Sequence, residues 1–197
     1  TAQTGVDALC HAMECYISKK GNPFSDMYGL KAISLIARSI RTAYKDGTNL
    51  AAREDMLLGS CFGGICIATS GTTAVHALSY PLGGTYHIPH GLSNAILLPD
   101  VMKFNQDVCV KQFKEIAVAM GLPVDGLSDQ EASDKMIEEL YALIRDLEIT
   151  CDLKAKGINE GILDELVESA SKVTRLLNNN PKEMTKADMK AIYQKLL

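Results

Sequence analysis

From Met56 to Pro99 the chain runs for 44 residues without an Asp, Glu, Lys or Arg. In a sequence that is 22% charged, such a stretch reads as withdrawn from water, into either a protein core or a bilayer. Met56 to Leu78 is long enough to span a membrane and contains Gly59-x-x-x-Gly63, but Ser60, Thr69, Ser70, Thr72, Thr73 and His76 make it too polar for a lone span. The expectation is a buried central helix, apolar around most of its circumference, with Gly and Ala allowing close approach and His76 near its end. Pro81-Leu82-Gly83-Gly84 then reads as a turn leading to His87 and His90.

Elsewhere apolar residues recur at helical spacing, as in the stripe Phe24, Met27, Leu30, Ile33, Ile36, Ile40 and Tyr44. Similar patterns cover residues 6–19, 50–68, 91–105, 109–120, 129–147, 159–176 and 185–196, each bounded by Gly, Pro, Asn or Asp. Short linkers, Gly21-Asn22-Pro23, Gly121-Leu122-Pro123 and Asn178-Asn179-Asn180-Pro181, imply antiparallel neighbours. The fold class is therefore all-α, an antiparallel multi-helix bundle. With 47% hydrophobic residues and a net charge of −4, the composition excludes disorder and offers no basic face for nucleic acid or anionic lipid. Six cysteines form no Cys-x-x-Cys pair and no signal-peptide pattern opens the chain. They read as reduced thiols in the cytoplasm. The densest chemistry lies within a dozen residues of Thr1, where termini normally fray. That predicts the C-terminal part of a longer polypeptide.

Asp7 and His11 are four residues apart on a predicted helix and so share one face. Alone they amount to an Asp–His hydrogen bond, and His76, His87 and His90 could each be a satisfied interior histidine. Together they ask for more, because all four histidines lie beside a carboxylate or in the uncharged stretch. Buried imidazoles near one carboxylate are costly unless something satisfies their nitrogens. A divalent cation does so, and imidazoles with one carboxylate suit zinc or ferrous iron rather than magnesium or calcium. One anionic ligand leaves the ion with a net positive charge, the requirement for a Lewis acid.

Thr4-Gly5-Val6-Asp7-Ala8-Leu9-Cys10-His11-Ala12-Met13-Glu14, Val75-His76-Ala77-Leu78, Pro81-Leu82-Gly83-Gly84 and Ile88-Pro89-His90-Gly91-Leu92-Ser93-Asn94-Ala95 together resemble the iron-containing alcohol dehydrogenases. The likeness covers residues 1–197 as that family's C-terminal helical domain, within the fold shared with dehydroquinate synthase, where a nucleotide-binding domain precedes it. The resemblance implies metal ligands at Asp7, His11, His76 and His90, bound iron or alternatively zinc, and a homo-oligomer. It also implies hydride transfer between a small primary or secondary alcohol and NAD or NADP. Many members carry a histidine implicated in proton transfer four residues after the third ligand, where this chain has Tyr80. A phenol is a poorer proton relay than an imidazole near neutral pH, so Tyr80 and His87 both stand as candidate catalytic residues.

No Gly-x-Gly-x-x-Gly follows a strand and opens a helix, and the glycines at 59, 63, 64 and 71 fall in the predicted buried helix. The cofactor-binding residues are thus expected upstream, and the isolated chain is expected to bind metal poorly and to show no dehydrogenase activity. Two alternatives stand beside the dehydrogenase. A non-redox lyase or cyclase on the same fold would call for Lys and Arg around the site, and a non-catalytic helical interaction domain would use the histidines only for hydrogen bonds.

Overall fold

A computed structural model describes residues 1–197. Nine α-helices and one short 3-10 turn form the chain, and there is no strand. They are α1 (Ala2–Ile17), α2 (Pro23–Lys45), α3 (Leu50–Thr69), α4 (Ala74–Tyr86), α5 (His90–Ala119), α6 (Asp129–Asp146), α7 (Leu163–Ser171), α8 (Thr174–Leu177) and α9 (Lys186–Gln194).

Local chemistry explains several boundaries. Asn22 accepts hydrogen bonds from the backbone N–H groups of Phe24 and Ser25 while Pro23 occupies the first turn of α2, where its missing N–H costs nothing. Ser128 and Glu131 form a reciprocal cap on α6, and Thr185 and Asp188 do the same for α9. The α2 stripe buries Ile33, Ile36 and Ile40, whereas Phe24 and Met27 at its start are exposed. Cys109 leaves helical geometry (φ −120°, ψ 17°) and kinks α5 at the expected boundary between 91–105 and 109–120. The predicted helix 159–176 is instead a 3-10 turn (Glu160–Ile162) followed by α7 and α8.

The charge-free segment folds otherwise than its composition suggests. It is two helices, not one: α3 ends where Gly71 takes a positive φ of 76°, a conformation that stops a helix at little cost only with glycine. His76 therefore sits in the first turn of α4 rather than near the end of a long helix. Pro81-Leu82-Gly83-Gly84 lies inside α4 instead of forming a turn. A proline there removes one helical hydrogen bond. The adjacent carbonyl of Leu78 accepts one at 2.6 Å from the buried hydroxyl of Tyr193 in α9, tying that turn to the rest of the bundle.

The buried central helix is α1, not α3. Helix α1 packs against α2, α3 and α5 and hides Val6, Leu9, Cys10, Ala12 and Met13 completely. Helix α3 buries only Ala52, Gly59, Gly63 and Cys66. Its glycines do allow close approach: a Cβ on Gly59 would lie 2.6 Å from Ile36 Cγ1, and one on Gly63 would lie 3.3 Å from the carbonyl oxygen of Ala8. Leu57 and Leu58 on the other side remain 74% and 42% exposed. No single helix is long and apolar enough to cross a membrane, and the α3–α4 pair is bent by 102°. All six cysteines are unpaired.

Candidate metal centre

Three helices meet at the four residues with metal-ligand chemistry. Asp7 and His11 project from adjacent turns of α1, His76 from the first turn of α4, and His90 is the first residue of α5. A Cβ added to Gly63 of α3 would lie 3.4 Å from the Cβ of His11, so a glycine in α3 allows that wall to approach the site closely. Asp7 Oδ1 lies 3.6 Å from His11 Nε2, 3.7 Å from His76 Nε2 and 3.7 Å from His90 Nε2. The four donor atoms all fall within 4.8 Å of one another.

These separations can be compared with what an ion demands. A tetrahedral ion with bonds of roughly 2.0–2.2 Å keeps its ligand atoms about 3.3–3.6 Å apart. The three distances from Asp7 lie at or just above the upper end of that range, and three imidazoles with one carboxylate are the donor set of zinc or ferrous iron. The site is graded in exposure: the side chain of His76 is 4% exposed and that of His90 51%. It opens into a cavity of about 240 Å³ lined by His11, Ile67, Thr72, His76, Tyr80 and His90, with Arg175 from α8. Two cavities roughly twice that volume lie elsewhere, lined by none of the four candidate ligands.

A second set of side chains holds the donors. Asn94, one turn after His90, donates from Nδ2 to Asp7 Oδ1 at 2.6 Å. The opposite amide orientation would bring two oxygens to that distance, so the nitrogen must face Asp7. The same nitrogen lies 3.2 Å from His76 Nε2 and 3.1 Å from His90 Nε2, while Asn94 Oδ1 is buried with no partner. Glu14, wholly buried, turns Oε2 to His76 Nδ1. Burial alone would raise the Glu14 carboxyl, but the charge of His76 and hydrogen bonds from His76, Thr73 and Val75 hold it below its ordinary value. Burial would likewise lower His76, yet Glu14 and then Asp7 hold that imidazole above its usual value. His11 is lowered, chiefly by burial, with Asp7 opposing.

The structure thus brings together Asp7, His11, His76 and His90. It also places Tyr80 in the cavity wall, with its ring centroid 6.4 Å from that of His90. His87 is not brought there. It ends α4 in a left-handed conformation (φ 54°) and is exposed, outside the lining of the cavity. Sequence reasoning gave no role to Glu14, Asn94 or Arg175. Two of them carried a signal: Glu14 follows Asp7 by two helical turns, and Asn94 follows His90 by one, so each shares a face with a candidate ligand. Arg175 had none.

The family profile described as Fe-containing alcohol dehydrogenase family, C-terminal, matches residues 1–197. This chain belongs to that family. It is 43% identical over 194 residues to long-chain-alcohol dehydrogenase 1 of Geobacillus thermodenitrificans, an alignment covering 98% of this chain and 49% of that protein. It is 39% identical to a 1,3-propanediol dehydrogenase of Klebsiella pneumoniae, over 98% of this chain and 50% of the relative. A solved 1,3-propanediol oxidoreductase superposes on all of this chain with a TM-score of 0.95 at 38% identity, using 51% of its own length. The chain spans about half the length of the curated relatives it matches. Among Fe-containing alcohol dehydrogenases, then, the all-helical architecture corresponds to the C-terminal domain.

Proposed function

We propose that this chain supplies the metal site of an NAD(P)-dependent alcohol dehydrogenase, which interconverts a small primary or secondary alcohol with its aldehyde or ketone. The observation that carries the reading is the meeting of one carboxylate and three imidazole nitrogens within 4.8 Å, at the mouth of a cavity, in a member of this family. Asp7, His11, His76 and His90 would hold iron or, alternatively, zinc. When bound, such an ion acts as a Lewis acid toward the substrate oxygen. Asn94 orients Asp7, and the wall residues Ile67 and Thr72 limit competing solvent without adding charge. Tyr80 lines the cavity and His87 does not, which supports assigning Tyr80 rather than His87 to the proton path. The nicotinamide nucleotide is assigned to residues outside this chain, and the protein to the cytoplasm as a homo-oligomer.

The names of the relatives extend from long-chain alcohols to 1,3-propanediol and lactaldehyde, so the substrate is assigned by class. A lyase or cyclase acting on a phosphorylated substrate is disfavoured, because Arg175 is the one Lys or Arg in the cavity lining. The test is metal analysis and turnover of the full-length protein. Wild type is expected to carry one iron or zinc per chain and to reduce NAD(P)⁺ with an alcohol, and His76→Ala to lose both. Retention of stoichiometric metal by His76→Ala would overturn the assignment.

A further inference from the structure

We propose that Glu14 is a positioning residue for the metal site: its carboxylate accepts the Nδ1–H of His76, fixing the tautomer whose Nε2 lone pair faces Asp7, while its other oxygen caps α4. The inference rests on the metal reading above and assigns a residue that reading does not use.

The fold makes Glu14 an unusual carboxylate. It is completely buried in the last turn of α1, it pairs with no Lys or Arg, and an ionised carboxylate in such a place is costly unless its oxygens are fully engaged. They are. Oε1 accepts from Thr73 N at 3.1 Å, Thr73 Oγ1 at 2.8 Å, Val75 N at 2.8 Å and His76 N at 3.4 Å. These are the N–H groups that a helix N-terminus leaves without partners. Capping alone would not call for a carboxylate from another helix. Thr73 is itself a good capping residue type, yet its side chain makes no cap bond and its hydroxyl donates to Glu14 instead.

The second oxygen distinguishes a cap from a positioning device. Oε2 faces His76 Nδ1, and an ionised carboxylate can only accept, so Nδ1 carries the proton. On the opposite edge of the ring, Asn94 Nδ2 lies 3.2 Å from His76 Nε2, but its two N–H groups face three acceptors, Asp7, His76 and His90, so the carboxylate behind the ring is what sets the tautomer. Glu14 therefore selects the tautomer with the proton on Nδ1. It is the one that can bind a metal through Nε2, and a carboxylate behind the ring also raises the basicity of the ligand. Because the same side chain anchors the start of α4, the position of His76 along the helix and the direction of its ring are set by one group.

Glu14→Gln tests the idea at constant size. The amide oxygen can still cap α4, but the amide NH₂ now faces Nδ1 and favours the tautomer with the proton on Nε2. In the full-length protein, stripped of metal and titrated with Zn²⁺ against a chromophoric chelator, Glu14→Gln is expected to bind about 10–100-fold more weakly than wild type. With Co²⁺ the visible absorption bands should shift as well. Zinc affinity within twofold of wild type would reduce Glu14 to a helix cap and overturn the proposal. Should the variant fail to fold, the wild-type protein decides the question: ¹H–¹⁵N correlation spectra of the metal-free protein, at a pH where His76 is neutral, must show the proton on Nδ1. A proton on Nε2 would overturn the proposal. Failure of the metal reading itself looks different, since His76→Ala would then bind zinc as wild type does.

Discussion

The close approach of α5 to α1 at the metal centre is most sharply probed by Gly91→Ala. Gly91 follows His90, and a methyl group built on it would lie 2.8 Å from the carbonyl oxygen of Gln3, 3.0 Å from its carbonyl carbon and 3.4 Å from the backbone nitrogen of Thr4. All three are backbone atoms at the start of α1, so no side chain can rotate away. Restoring ordinary contact at 3.4 Å means that the start of α5 must retreat from α1 by about 0.6 Å. His90 rides on α5 and Asp7 on α1, with 3.7 Å between their donor atoms. Metal-ligand bonds tolerate deviations of about 0.2 Å, so the retreat exceeds what the site can absorb. Zinc affinity should fall at least about tenfold, equivalent to ~1.4 kcal/mol, and the metal-free protein should lose about 1–3 kcal/mol to overpacking. Chelator competition measures the first and urea denaturation the second. Gly84→Ala is the control, because a Cβ there meets nothing within 4 Å, and neither quantity should fall. If Gly91→Ala matched wild type in both, the reasoning from helix approach to site geometry would be wrong.

Two further outcomes concern the scaffold. Asn105 and Asn180 are both fully buried and exchange side-chain hydrogen bonds at 3.0 and 2.8 Å. Asn180→Ala should therefore cost about 1–3 kcal/mol in denaturant unfolding by leaving Asn105 unpaired, and a loss under ~0.5 kcal/mol would refute that account. Asp55 accepts two hydrogen bonds from Arg38 and one from Ser39, and these hold its carboxyl down to about 2. A depressed carboxyl stabilises the fold above its unfolded value of about 3.9 and loses that contribution as pH falls through about 2. The Tm gap between wild type and Asp55→Asn should thus be steady above about pH 5 and close on acidification. A gap unchanged down to pH 2 would contradict it.

What a single stretch of chain could determine was the local part of this protein. Helix-period stripes located α2, α3 and α6 to within a residue at each end, because an amphipathic face is written at 3.6-residue spacing whatever it packs against. The Asp7–His11 pair was legible for the same reason, since residues four apart on a helix must lie side by side. The charge-free segment was not. Lack of charge shows that a surface avoids water, but it does not say which neighbour covers it, and so it marks α3 as central although α1 holds that place. The break at Gly71 depends on one backbone angle, and the helix running through Pro81 is tied to Tyr193 in α9, more than a hundred residues further along. The meeting of His76 and His90 with α1, the buried carboxylate of Glu14 behind His76, and the position of His87 outside the cavity lining were likewise decided in three dimensions. Each depends on how closely and at what angle separate helices pack, and those angles are set by pairs of surfaces that no local spacing records.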